Sequence, residues 1–223
     1  MATTVLIIGR GSLGDALKAK LLERSDVTVR VASRSSEDVK LDITDAGSVR
    51  SLDSTLGEAA VDHVVLCCGT STFGPITQFD AEQWKTNVNS KLLAVTTVVL
   101  ALIQEMKVLK DGGSITITSG QAADTVNKMW PGLAVNNAGL NAFVRNAGID
   151  LPRRIRLNAC SPCLVTETAA KAGLPQEGTV SAAEAALVYE SLIFSTDTGI
   201  VKDAGQQVAF KRKEEGLVKT SSM

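Results

Sequence analysis

Three glycines in "GRGSLG", Gly9, Gly11 and Gly14, follow the apolar run "VLII" and open a helical pattern. In that context their spacing carries chemistry. Gly9 permits a tight turn, Gly11 lets a pyrophosphate approach the backbone, and Gly14 allows close helix packing, while the amides around Ser12 and Leu13 offer a helix amino terminus to the anion. The end of the next apolar run discriminates between nicotinamide cofactors, because an acid there bonds ribose hydroxyls whereas a cation accommodates a 2′-phosphate. It reads "ASRSS", with Ser33, Arg34 and Ser35 and no acid before Glu37. Arg10, inside the glycine loop, can approach the same phosphate. These residues together predict NADP(H) over NAD(H).

"CSPC", Cys160 to Cys163, has the spacing of a redox pair or of half a zinc site. A zinc site needs a second such pair or histidines, and His63 is the only histidine. Four cysteines, with Cys67 and Cys68 adjacent, do not make a disulfide framework in a chain of this length. We expect small buried thiols and no metal site.

These residues need a scaffold, and the patterning supplies one. "TTVLIIG" (Thr3 to Gly9), "VTVRVAS" (Val27 to Ser33), "DHVVLCCG" (Asp62 to Gly69), "GSITITSG" (Gly113 to Gly120) and "RIRLNAC" (Arg154 to Cys160) read as strands, mostly apolar throughout, as in a sheet covered on both faces. Helical patterns alternate with them at Gly14 to Arg24, Ala46 to Gly57, Ala81 to Leu109, Leu133 to Leu151 and Ser181 to Phe194. The alternation predicts a single α/β domain over residues 1–223: a doubly wound parallel sheet with helices on both faces, Rossmann-like. A polar tail is expected near 211–223.

Composition narrows the partners. The chain has 223 residues, 44% of them hydrophobic, and a formal net charge of −1. That is enough to bury a core, and no basic stripe exists to track nucleic acid. The run from Leu92 to Ile103, broken by Thr96 and Thr97, is too short to span a bilayer. No basic leader precedes a cleavage site. The expectation is a cytoplasmic protein that acts on a small molecule, with neither nucleic acid nor membrane as partner.

Over nearly the whole chain the sequence resembles the short-chain dehydrogenase/reductase family. "LDITD" (Leu41 to Asp45) matches the stretch after strand three, where Asp42 reaches the adenine with Ile43 beside it. "CCGT" stands after strand four and brings Cys68 and Gly69 to the cofactor. "WKTNVNSKLLAV" matches the long central helix and puts Asn89 at the active-site asparagine. "GGSITITSG", "NAFVRNAGIDLPRRIRLNACSP" and "TGIVKDAG" match strand five, the helix into strand six, and the last strand, with Pro162 as a further cofactor contact. "NNAG", Asn136 to Gly139, spells a motif the family carries after strand four; here it lies in the helix after strand five, a coincidence of letters.

The same resemblance exposes departures. The family's helix after strand five carries a tyrosine and, four residues later, a lysine that lowers the tyrosine's pKa for proton transfer. Counted back from "NAF", those positions hold Leu133 and Asn137. The catalytic serine position falls on Gly120, leaving Ser119 one residue early, and Tyr189, the only tyrosine, belongs to a late helix. The segment from Ser33 to Val39 is too short for the family's helix there, and residues near 163–180 form only a small substrate lid.

Without that acid, reduction of an ordinary ketone forfeits a contribution of about 10²- to 10⁴-fold. Three readings follow. The first is hydride transfer to a carbonyl, or to an imine or iminium, with Asn89 and Ser119 positioned as in the family and Lys128 or Glu167 as ionisable groups flanking the nicotinamide alongside Asp124. The second is a non-redox isomerase or cyclase on the same fold. The third is an NADP(H) sensor without turnover. Phe73, Trp84, Met129, Trp130 and Pro131 suggest an apolar pocket wall. The resemblance further implies a homodimer or homotetramer, since the long helix is apolar nearly all round.

Overall fold

The computed structural model describes residues 2–58 and 60–207; the tail expected at 211–223 lies outside them. Seven strands, β1 (Thr3–Ile8), β2 (Val27–Ser33), β3 (Val39–Lys40), β4 (Val61–Leu66), β5 (Leu109–Thr118), β6 (Arg156–Ser161) and β7 (Val201–Asp203), form one sheet in the order β3-β2-β1-β4-β5-β6-β7. Every pairing in it is parallel. The helices are α1 (Ser12–Leu21), α2 (Ala46–Leu56), α3 (Ala81–Val88), α4 (Ala94–Gln104), α5 (Pro131–Ala147), α6 (Thr166–Lys171) and α7 (Ala182–Ile193). This is the expected doubly wound sheet.

Strand side chains alternate between two apolar layers. Leu6, Ile8, Val64, Leu66, Ile115 and Ile117 pack with α2, α4 and α5, whereas Val5, Ile7 and Val65 pack with Leu17 and Leu21 of α1 and Leu192 of α7. Because both faces are covered, the strands read as continuous apolar runs. The chain leaves β1 toward β2 and β3, then returns to place β4 on the other side of β1. The carboxyl ends of β1 and β4 therefore flank a topological switch point, where open α/β sheets bind ligands.

Three local features affect the site; the first, a crossover without a helix, is as expected, and the other two differ from the predicted elements. A parallel pair ordinarily needs a crossover of a dozen residues or more. Between β2 and β3 five residues suffice, because side chains stand in for ladder bonds: the Ser36 hydroxyl donates to the Val31 carbonyl at 2.7 Å, and the Val31 amide donates to Asp38 Oδ2 at 2.9 Å. The helix predicted from Ala81 to Leu109 ends at Gln104 and is interrupted by a π-helical turn over Asn89–Leu93. The helix predicted to begin at Leu133 begins at Pro131, whose missing N–H is no loss in a first turn.

The segment Ala81–Gln104 is, by length and composition, apolar enough to cross a membrane, although the run read from the sequence alone is shorter. Val95, Val98, Val99 and Leu102 are fully buried in the core. One face of the segment therefore forms part of the core.

Candidate cofactor and active site

The glycine loop is built where the sequence places it. Gly9 has φ of 119°, and a Cβ there would meet the Cys67 carbonyl oxygen at 2.4 Å; one on Gly14 would meet the Gly9 oxygen at 2.2 Å. These two glycines bring β1, β4 and α1 together. Gly11 differs, since a Cβ on it would meet nothing within 4 Å, so its backbone faces open space. No side chain caps α1, which leaves its first amides free for an anion. Lys171 of α6 approaches the same end, with Nζ 3.5 Å from Ser12 Oγ.

Beside this loop a cavity of about 360 Å³ is lined by Gly9, Arg10, Ser33, Arg34, Ser35, Asp42, Ile43, Cys68 and Gly69, residues expected to hold the cofactor. Arg34 and Ser35 are exposed, and Arg34 makes no salt bridge among the described residues. Arg10 sits 3.8 Å from Asp15. Asp42 Oδ1 accepts from the Thr44 amide at 2.9 Å and hydroxyl at 2.7 Å. Those bonds, with Arg34 adding a smaller attraction, hold its carboxyl below the usual range.

A second cavity, of about 480 Å³, shares Cys67, Cys68 and Gly69 with the first, so one groove crosses the switch point. Ser119, Gly120, Leu133, Asn137, Leu13 and Pro162 line it, with Phe73 and Trp130 as aromatic walls. Leu133 and Asn137 of α5 thus both face this cavity. A Cβ on Gly120 would lie 2.7 Å from Asn137 Nδ2, so a serine there would have to displace that amide. Ser33 Oγ, Ser119 Oγ and Asn137 Oδ1 are buried and have no hydrogen-bond partner among the described residues. Buried polar atoms are ordinarily satisfied. Orphans on the walls of both cavities fit a polar ligand along the groove, as NADP(H) would be.

The central helix corrects one expectation. Asn89 is exposed and lines neither cavity. Residues two apart on a helix point to nearly opposite sides, and within the π-turn it is Lys91 that turns inward. Its stem packs over Gly69, where a Cβ would come within 2.8 Å of Lys91 Cγ. Its Nζ donates to the Ser119 carbonyl at 3.4 Å. Burial pushes the ammonium down to about 8, with Cys68 acting weakly the other way. The sequence did hold a signal for Lys91: a lone cation at the head of "KLLAVTTVVLALI" has to be explained.

Other expected residues lie elsewhere. The Glu167 carboxylate accepts from the Ala182 amide at 2.9 and 3.1 Å, tying α6 to the first residue of α7. It does not line the cavity, although its neighbours Val165 and Thr168 do. Lys128 and Asp124 are exposed and outside both cavities. Tyr189 is fully buried, its hydroxyl 2.6 Å from Thr118 Oγ1. Asn136 of "NNAG" is structural, its amide donating to Ser71 Oγ at 2.8 Å and to the Asn87 carbonyl at 3.1 Å. Cys160 is buried in β6, and no cysteine among the described residues forms a disulfide.

Comparison with known proteins agrees with this geometry. A family model described as enoyl-(acyl carrier protein) reductase matches residues 16–199. The protein lin1944 from Listeria innocua is 33% identical, with a TM-score of 0.83 over 91% of this chain and 99% of its own. A small-chain dehydrogenase in complex with NADPH is 28% identical, with a TM-score of 0.79 over 93% of this chain and all of its own (100%). A short chain dehydrogenase family protein from Francisella tularensis shares the fold at 19% identity and a TM-score of 0.75, over 93% of this chain and 100% of that one. No curated protein matches the sequence. By its glycine loop, its strand order and the extent of these matches, the chain belongs to the short-chain dehydrogenase/reductase family and has that family's oxidoreductase fold.

Proposed function

We propose that the protein is an NADP(H)-dependent reductase that transfers hydride to a small, largely apolar carbonyl or imine compound without the family's tyrosine and lysine. The observation that carries this reading is the continuous groove: free helix amides and the Arg10 and Arg34 side chains at one end, an apolar chamber with orphaned Ser119 and Asn137 oxygens at the other. Gly9, Gly11 and Gly14 would admit the pyrophosphate, Ser33, Arg34 and Ser35 the ribose phosphate, Asp42 and Ile43 the adenine, and Cys68, Gly69 and Pro162 the nicotinamide side. Bound there, the cofactor supplies hydride. The NADPH held by the 28% identical dehydrogenase supports the choice of cofactor.

Leu133 and Asn137 in the chamber support the absence of the usual acid, since neither side chain can give up a proton near neutral pH. We also propose self-association: Leu93 and Leu100, seven residues apart and so on one helix face, are 50% and 44% exposed. A monomer in sedimentation would count against that part alone.

The test is titration of the purified protein with NADPH and NADH, followed by nicotinamide fluorescence. Binding of NADPH in preference to NADH is expected. If neither cofactor binds, the reductase reading fails and a cofactor-free catalyst or recognition protein on the same fold takes its place.

A further inference from the structure

Lys91 has an unusual position for a cation. It enters the reaction chamber from the π-turn, which packs against α5, and the only hydrogen bond of its side chain among the described residues is the long one to the Ser119 carbonyl. It makes no salt bridge among them. An ammonium among apolar walls without a carboxylate costs stability unless something in the chamber meets it. The hydroxyl of Ser119 and the amide oxygen of Asn137, both without partners among the described residues, belong to residues that line the same chamber. The other titratable groups that line the chamber among the described residues are Cys67 and Cys68 after β4, Cys163 after β6, and Glu177 at the exposed rim. Burial raises both β4 thiols, Cys67 to about 12 and Cys68 further, so neither gives up a proton at neutral pH. Lys91 is the ammonium at this end of the groove.

Resting on the reductase reading above, we propose that Lys91 is the proton donor of the reaction, and that the substrate presents the oxygen of a ketone or aldehyde to its Nζ beside Ser119. As hydride adds to the carbonyl carbon, the C=O π pair moves onto oxygen. That oxygen takes a proton from Lys91 Nζ, so an N–H bond breaks as an O–H bond forms. The carbonyl compound is reduced to the alcohol and NADPH is oxidised to NADP⁺; the Lys91 amine recovers its proton from water. A donor poised near the working pH is the most effective kind, and burial has moved this ammonium to about 8. The role of the family's tyrosine thus passes to a residue on a different helix.

Two readouts test this. In the first, the ligand-free protein is followed by the ¹³Cε resonance of Lys91, assigned by its loss in Lys91→Arg; a midpoint about two pH units below that of solvated lysines is expected, against about 10.4 for those. In the second, NADPH oxidation is measured with benzil as an activated, apolar diketone between pH 6 and 10, beside NADPH affinity for each variant. Turnover should fall about tenfold per pH unit above the Lys91 midpoint. Lys91→Met should lose about 10²- to 10⁴-fold in turnover with NADPH affinity within about threefold, and Lys91→Arg should not recover it, because a guanidinium does not release its proton. A Lys91 midpoint at or above 10, turnover in Lys91→Met within threefold of wild type, or NADPH binding with no turnover of benzil each overturns the assignment and leaves cofactor binding standing. Failure to bind NADPH sinks the reductase reading itself.

Discussion

The two ends of the groove are built differently. At the end proposed for the adenosine half of the cofactor the elements are mostly backbone: a turn at Gly9, open space at Gly11, a close crossing at Gly14 and the uncapped amides of α1. At the reaction end they are side chains that converge from separate elements: Lys91 from the π-turn, Ser119 from the end of β5, Leu133 and Asn137 from α5. A backbone site depends on which residues are permitted and tolerates little change. A side-chain site depends on which way each residue points, and so it can be rewritten while the fold persists.

Breaking the backbone end should give the largest effect. In Gly14→Val the new Cβ falls 2.2 Å from a main-chain oxygen, which no rotamer relieves; a loss of about 3 kcal/mol or more in urea unfolding is expected, with NADPH binding reduced beyond measurement. A variant that still binds NADPH would show that the close α1 crossing is dispensable. Arg34→Ala should weaken NADPH about tenfold, or about 1.4 kcal/mol, and leave NADH within twofold; equal losses for both would remove Arg34 from 2′-phosphate recognition.

Smaller effects sharpen the other end. Tyr189→Phe removes a buried hydroxyl that bonds Thr118 and also meets the Cys67 and Cys160 thiols, while Thr118 keeps its 2.7 Å bond to the Leu66 carbonyl. We expect a stability loss of about 1 kcal/mol and NADPH oxidation within twofold of wild type; a collapse of turnover would make this tyrosine part of the chemistry. Ser119→Ala removes a hydroxyl that has no partner among the described residues, so the unfolding free energy should stay within about 0.5 kcal/mol of wild type while turnover falls about tenfold. Destabilisation beyond 1 kcal/mol would mean that the hydroxyl is satisfied within the fold.

The same contrast explains how much the sequence could tell. The doubly wound parallel sheet follows from the periodicity and forms as expected, with the glycine loop and the Ser33 to Ser35 segment at the carboxyl ends of β1 and β2. Asn89 and Lys91 are two residues apart, and which of them faces inward depends on one extra residue in a helical turn, a register that hydrophobic pattern does not encode. Glu167 is a similar case: a carboxylate after β6 reads as site chemistry until α7 is seen to present its Ala182 amide to it. Lys128, in an exposed turn, has no local feature that tells a solvated charge from a functional one.

The side-chain clip between β2 and β3 has a consequence beyond the cofactor. It makes β3 a two-residue strand at one border of the sheet, and at the other border β7 has three residues. The strands long enough to template a neighbouring chain, β1, β2, β4, β5 and β6, all lie inside, and the exposed Arg30 and Asp38 pair stands guard where β2 would otherwise be open. Short, charged borders resist edge-to-edge addition. The shortened crossover therefore also limits amyloid-like growth of a sheet whose interior strands are among the most apolar segments of the chain.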